Sequence, residues 1–144
     1  MRPMSVTIVR RALLLLMSAI VAATQWACMG ACDLFVPTKP VRGGYVLMRE
    51  EGGLYLLSDG RSNIGSGGVL HGIVQEIGWN EHYIVGSRFA MSSNVRSGWM
   101  IINVKTGEIR GPYTAAEFAE VRRCDPSLLS IKILPVHDAW NQLD

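Results

Sequence analysis

Four side chains, His71, Glu76, Glu81 and His82, form the only local cluster of acid–base or metal-ligand character in the chain. A zinc site needs three or four such ligands converging in tetrahedral geometry. If Val69–Trp79 and Tyr83–Ser87 pair as strands about an Asn80-Glu81 turn, His82 stands near the tip and His71 at the far end of its strand. At about 3.3 Å of rise per residue the two imidazoles are too far apart to share an ion. The cluster reads as solvated turn and strand-edge residues. Ser66, within Gly65-Ser66-Gly67, lacks the G-x-S-x-G elbow of an activated serine. Residues 65–68 are not followed by the Lys-Ser/Thr of a phosphate loop. His137-Asp138 could orient a base, but no nucleophile accompanies it, so it reads as a polar surface pair. The sequence predicts no catalytic residue, no metal and no cofactor.

Trp79, Tyr83, Trp99 and Tyr113 are the candidate ligand-contact residues. Tryptophans in the strands of one small sheet pack into the core more often than they present a binding platform. Exposed together, two of these rings would line a groove for a peptide or a glycan.

These residues need elements to hold them. The chain has 144 residues, 49% hydrophobic and 18% charged, which suits one ordinary domain and excludes a disordered polymer. The apolar share is unevenly placed, because residues 12–27 are almost purely apolar. Of the 14 Lys+Arg, three (Arg2, Arg10, Arg11) fall within residues 1–32, where there is no acid. Residues 33–144 therefore hold 11 cations against 12 acids, a formal charge of −1. The basicity belongs to the leader, and no cationic footprint for nucleic acid remains.

Arg10-Arg11, then an uncharged apolar run, then the small residues before Cys32 describe an export signal over residues 1–32. The arginines stay cytoplasmic and the chain beyond Cys32 crosses to the periplasm or the cell exterior. Met29-Gly30-Ala31-Cys32 resembles the bacterial lipobox, which makes Cys32 the expected lipidation site. Gln25-Trp26-Ala27-Cys28 is the poorer second choice, with an indole and an amide where small or aliphatic groups normally stand. Acyl chains contribute about 0.8 kcal/mol per buried methylene, so a lipidated cysteine is stably anchored. The alternative is an uncleaved anchor, since residues 12–32 carry no charge and are long enough to span about 30 Å of hydrocarbon as a helix. Either way the expected partner is a membrane. Asp33, directly after Cys32, resembles the signal that retains some lipoproteins in the inner membrane. Cys124 is left unpaired, unless Cys28 is the anchor and Cys32 pairs with it in an oxidising compartment.

Residues 33–44, with two prolines and two glycines, read as a tether, and residues 45–144 as one small α+β domain. Tyr45–Arg49 and Leu54–Leu57 suggest a hairpin. Val69–Trp79 is ambiguous, because apolar residues 70, 73, 74 and 77 also satisfy a helical stripe. Gly72, Gly78 and the β-branched content favour a strand. Tyr83–Ser87, Trp99–Val104 and Glu108–Arg110 continue the pattern. Thr114-x-x-Glu117 is a capping box that opens a helix, and Asp125-Pro126 closes it. Leu129–Ile133 alternates as a final strand. The expected fold is an antiparallel β-meander of about six short strands with one helix in the C-terminal half packed on it, preceded by the signal or anchor helix.

The motifs Gly44-Tyr45-Val46-Leu47-Met48-Arg49, Ile77-Gly78-Trp79-Asn80 with Tyr83-Ile84, Trp99-Met100-Ile101-Ile102-Asn103 and Gly111-Pro112-Tyr113-Thr114 with Glu117-Phe118 occur in that order. In that order they resemble a family of small bacterial lipoproteins known only as a domain of unknown function. The resemblance spans most of residues 44–133 and brings no catalytic residues with it. The leader departs from the family's usual leucine-containing lipobox. Trp99 together with Gly111-Pro112-Tyr113-Thr114 is also similar to the GYF-like modules, which grip proline-rich peptides with exposed aromatics. The expected function is thus an exported, membrane-anchored lipoprotein, a non-enzymatic binding or structural element of the cell envelope with a protein or peptide partner. The alternatives are a proline-rich-peptide module using Trp99 and Tyr113, and a small envelope hydrolase built around His71 or His82.

Overall fold

A computed structural model describes residues 36–60 and 68–143. The expected leader, with Cys28 and Cys32, and the Ser66 loop lie outside the described residues. Residues from Val36 onward form one compact unit. Among the described residues eight strands make two antiparallel sheets. The first is β1 (Thr38–Pro40), β2 (Val46–Arg49) and β3 (Tyr55–Ser58), in that order. The second contains β4 (Gly72–Trp79), β5 (Tyr83–Ala90), β6 (Gly98–Asn103), β7 (Ile109–Tyr113) and β8 (Leu134–Pro135), ordered β7-β6-β5-β4-β8. Helices α1 (Ala115–Cys124), α2 (Pro126–Leu129) and α3 (Val136–Gln142) pack with these sheets.

The α+β class holds, but one meander with one helix does not. The reason is visible in β5 and β6. Ile84-Val85 and Met100-Ile101-Ile102 are apolar at consecutive positions, so both faces of the second sheet need a cover. On one face Ile84, Met100, Ile102, Val74 and Ile77 pack with Leu47 and Leu57 of the first sheet and with Ala139 and Trp140 of α3. On the other, Val85 and Ile101 pack with Phe118 of α1, Leu128 of α2 and the following Ile131.

The double periodicity of residues 69–79 has a physical origin. Gln75 is an extra residue in β4, because the register with β5 runs Val74↔Arg88 and then Glu76↔Ser87. A bulge of this kind resets the alternation, so Val74 and Ile77, three apart as on a helix, reach the same core.

Two expected segments are corrected. Thr38–Pro40, inside the expected tether 33–44, is a strand paired to β2 through Thr38↔Met48 and Pro40↔Val46. Leu129–Ile133, expected as a strand, starts as the end of α2 and continues outside any ladder. Asp125 Oδ1 accepts from the Ser127 N–H (2.9 Å) and Pro126 takes the first helical position, so another helical turn forms where alternation alone suggested extension. The chain then passes over Gly78, where a β-carbon would stand 2.5 Å from the Lys132 carbonyl oxygen and 2.7 Å from Ile131. Only a glycine admits that crossing. The strand that does join the sheet is the short β8, through Ile77↔Leu134 and Glu76↔Pro135.

Helix α3 was not foreseen, although Val136, Ala139, Trp140 and Leu143 carry helical spacing and are all buried. Lys39 of β1 secures its C-terminal end by donating to the carbonyls of Trp140 (3.0 Å) and Leu143, with its ammonium 5.3 Å from the Trp140 ring centroid.

Candidate functional site

The four candidate aromatics do not form one platform. Trp79 packs against the core between the sheets, whereas Tyr83, Trp99 and Tyr113 border the core under α1 and α2. Trp99 and Tyr113 are direct cross-strand neighbours. The Trp99 ring, however, stacks flat on Phe118, with centroids 4.4 Å apart and planes 3° from parallel. That contact exists because the capping box sets the start of α1. Glu117 N–H donates to Thr114 Oγ1 (3.2 Å), and Thr114 N–H donates to the Glu117 carboxylate (2.7 Å). Phe118, the next residue, then points onto the sheet. The Thr114 backbone bond, reinforced by the Thr114 side chain, holds the Glu117 carboxyl below its usual range.

Tyr83 alone of the four lines the cleft that is the clearest candidate site. The cleft, of about 340 Å³, is lined by His82, Tyr83, Asn103, Lys105, Thr106 and Ser127. Three segments meet there: the β4–β5 turn, the β6–β7 turn and the start of α2. Two asparagines build them. Asn80 Oδ1 accepts from the N–H groups of His82 and Tyr83, both at 2.9 Å. Asn103 Oδ1 accepts from Lys105 and Thr106, both at 3.0 Å. Each is an asparagine side chain standing in for a turn carbonyl. The Val104 N–H donates to the His82 carbonyl (2.9 Å) and ties the turns together, while the Asn80 amide donates to the Ser127 carbonyl (2.7 Å) and ties them to α2.

The side chains around the rim stand in contrast. Among the described residues the ion pairs are Arg42–Glu81 (3.3 Å) and Arg123–Glu120 (2.7 Å), and neither involves Lys105. Nor does any hydrogen bond within the described residues engage the Lys105 ammonium, the His82 ring, or the Tyr83 and Ser127 hydroxyls. Arg110 lies over the Tyr83 ring, 5.8 Å from its centroid. Among the described residues no carboxylate lines the cleft. The arrangement offers hydrogen-bond donors and positive charge on a backbone fixed in advance.

The remaining sequence candidates are scattered. His71 and His82 sit at opposite ends of β4. His82 shares the cleft with the Thr106 and Ser127 hydroxyls, with no acid bonded to orient it. His137 lies against Tyr55 through Nδ1 and Asn141 through Nε2, both at 3.2 Å, rather than pairing with Asp138. Cys124 is free and exposed. Among the described residues no three His, Cys, Asp or Glu side chains are grouped to hold a metal ion, and no helix is long and apolar enough to cross a membrane.

Sequence reasoning missed Asn80, Asn103, Lys105, Thr106 and Ser127 as site residues. A signal was present for the two asparagines, each of which opens a short turn between strong strands. Alternate turns of a meander fall at the same end of the sheet. Ser127 had none, since its position depends on how α2 is carried over the sheet. Comparison with known protein families, curated proteins and solved structures finds no match to this chain.

Proposed function

We propose that the chain is an exported lipoprotein of the bacterial envelope, anchored through Cys32, whose folded part is a non-enzymatic binding or structural element. The observation that carries the reading is the leader itself. Arg10-Arg11, the uncharged run to Cys32 and the small residues of Met29-Gly30-Ala31-Cys32 all precede the compact unit, which begins at Val36. Since β1 starts at Thr38, residues 33–37 are the whole of the connecting segment in this reading. Asp33 favours the inner membrane, and membership of the family of small lipoproteins of unknown function is part of the same proposal. A binding role is supported by the preorganised turns and unpaired donors of the cleft.

The two alternatives have less support. A proline-rich-peptide groove needs an open Trp99 face, and Phe118 stacks on that ring. A hydrolase needs a histidine oriented by an acid beside a nucleophile, and His82 has no such acid.

The test is metabolic labelling with an alkyne fatty acid in a bacterial host. Wild-type protein is expected to incorporate label and Cys32→Ser to lose it and be misprocessed or released. Undiminished labelling of the variant moves the anchor to Cys28, and absence of label from wild type removes the lipoprotein reading.

A further inference from the structure

We infer that the cleft at the Asn80–Asn103 end of the second sheet binds a small molecule bearing an oxyanion, a phosphate monoester or carboxylate on a body about the size of one sugar. The inference deepens the binding-module reading and does not depend on the anchor. Its volume, about 340 Å³, lies at the lower end of the ~300–1,000 Å³ range of small-molecule sites.

Charge selects the ligand class. Lys105 contributes an ammonium without an ion-pair partner among the described residues, while Arg110 stands outside the lining, over the Tyr83 ring. Asp125, two residues before Ser127, has its carboxylate occupied by the Ser127 N–H (2.9 Å) and does not line the cleft. Glu81 pairs with Arg42 (3.3 Å), and Glu108, whose N–H donates to Thr106 Oγ1 (3.3 Å), does not line the cleft. A neutral polyol would satisfy the Tyr83 and Ser127 hydroxyls but leave the Lys105 ammonium uncompensated, whereas an oxyanion engages it through charge-assisted bonds.

Rigidity is the second argument. The N–H groups of His82, Tyr83, Lys105 and Thr106 are all consumed by Asn80 and Asn103. The turns are thus shaped before any ligand arrives, and recognition falls to side chains. Fixing a backbone this thoroughly around unpaired side-chain donors lowers the ordering cost of binding.

The experiment uses the full chain in a non-ionic detergent, titrated at constant ionic strength with inorganic phosphate, glycerol 3-phosphate, glucuronate and, as the neutral control, glucose. Binding is followed by amide chemical shifts. The charged probes are expected to move the signals of His82, Tyr83, Lys105, Thr106 and Ser127 and to bind at least tenfold more tightly than glucose. Lys105→Gln, at an exposed position where the thermal midpoint is expected to stay unchanged, should weaken them at least tenfold. Phosphatidic acid in mixed micelles, compared with soluble glycerol 3-phosphate, tells whether the oxyanion is presented on a lipid or free in solution. Equal affinity for glucose, shifts confined to other surfaces, or an undiminished response of Lys105→Gln overturns the inference. Those failures would leave fatty-acid labelling at Cys32 untouched, so they are distinguishable from failure of the lipoprotein reading.

Discussion

The two ends of β5 handle polar groups in opposite ways. At the Tyr83 end, asparagine side chains satisfy backbone N–H groups, and the charged and hydroxyl side chains are left unpaired. At the other end a charged side chain serves the backbone. Arg88 is 7% exposed, faces the core between the sheets, and donates to the carbonyls of Leu70 and Arg96 (3.1 Å to the latter). Among the described residues no carboxylate pairs with it and its buried Nε has no partner, and burial pulls its pKa down. A guanidinium spent on two loop carbonyls pins the segment entering β4 and the β5–β6 loop to the sheet, but has nothing left to offer a ligand. A small neutral side chain that caps a turn leaves charge available for function. A buried charge that caps a loop does not.

Substitutions at the two ends should separate these roles. Arg88→Ala is expected to have the largest effect, a loss of about 3 kcal/mol in urea unfolding, because the buried Leu70 carbonyl and the half-buried Arg96 carbonyl lose their donor and a cavity replaces the stem. Arg88→Met, which keeps the stem and removes the unpaired charge, should cost about 1 kcal/mol. Equal losses for the two would mean that the hydrogen bonds, not the packing, carry the site. Asn80→Ala comes next, at about 2 kcal/mol, since it frees two N–H groups and cuts the tie to Ser127. It should weaken oxyanion binding as well, whereas Lys105→Gln should weaken binding alone.

The start of α1 repeats the logic of the Asn80 end with a titratable partner. Thr114→Ala should cost about 1 kcal/mol in thermal or urea unfolding. The Glu117 carboxyl is held below its usual range in the folded protein, so the unfolded chain binds the proton first as pH falls. Its contribution is complete above the ordinary carboxylate pKa and is lost as the pH drops through the lower, folded value. Glu117→Gln should therefore flatten the acid limb of a stability–pH profile, with its loss of stability largest near neutrality and fading as the pH falls through the folded value. An unaltered acid limb would mean that the capping carboxylate is not linked to stability. This is the smallest of the expected effects.

Much of the framework was legible because it is local. The β2–β3 hairpin, the strands from β4 to β7 and the capping box at Thr114 follow from residues only a few positions apart. The turns that build the cleft were recognised as turns, yet their asparagines were not read as its architects. Trp99 could be placed on a strand from sequence, but not beneath Phe118. His82 could be placed at a turn tip, but not beside Ser127.

The amino-acid sequence by itself determined where β2 to β7 and α1 form, where the uncharged apolar run ends at a cysteine, and that no basic footprint remains beyond it. Those properties depend on composition, alternation and capping over short stretches. Only the tertiary structure decided that the strands divide into two sheets, that Thr38–Pro40 joins one of them, that residues 131–132 cross at Gly78, and that two distant turns and α2 enclose one cleft. Each of these depends on which apolar face finds which cover, a choice made among segments far apart in the chain and invisible to any local pattern.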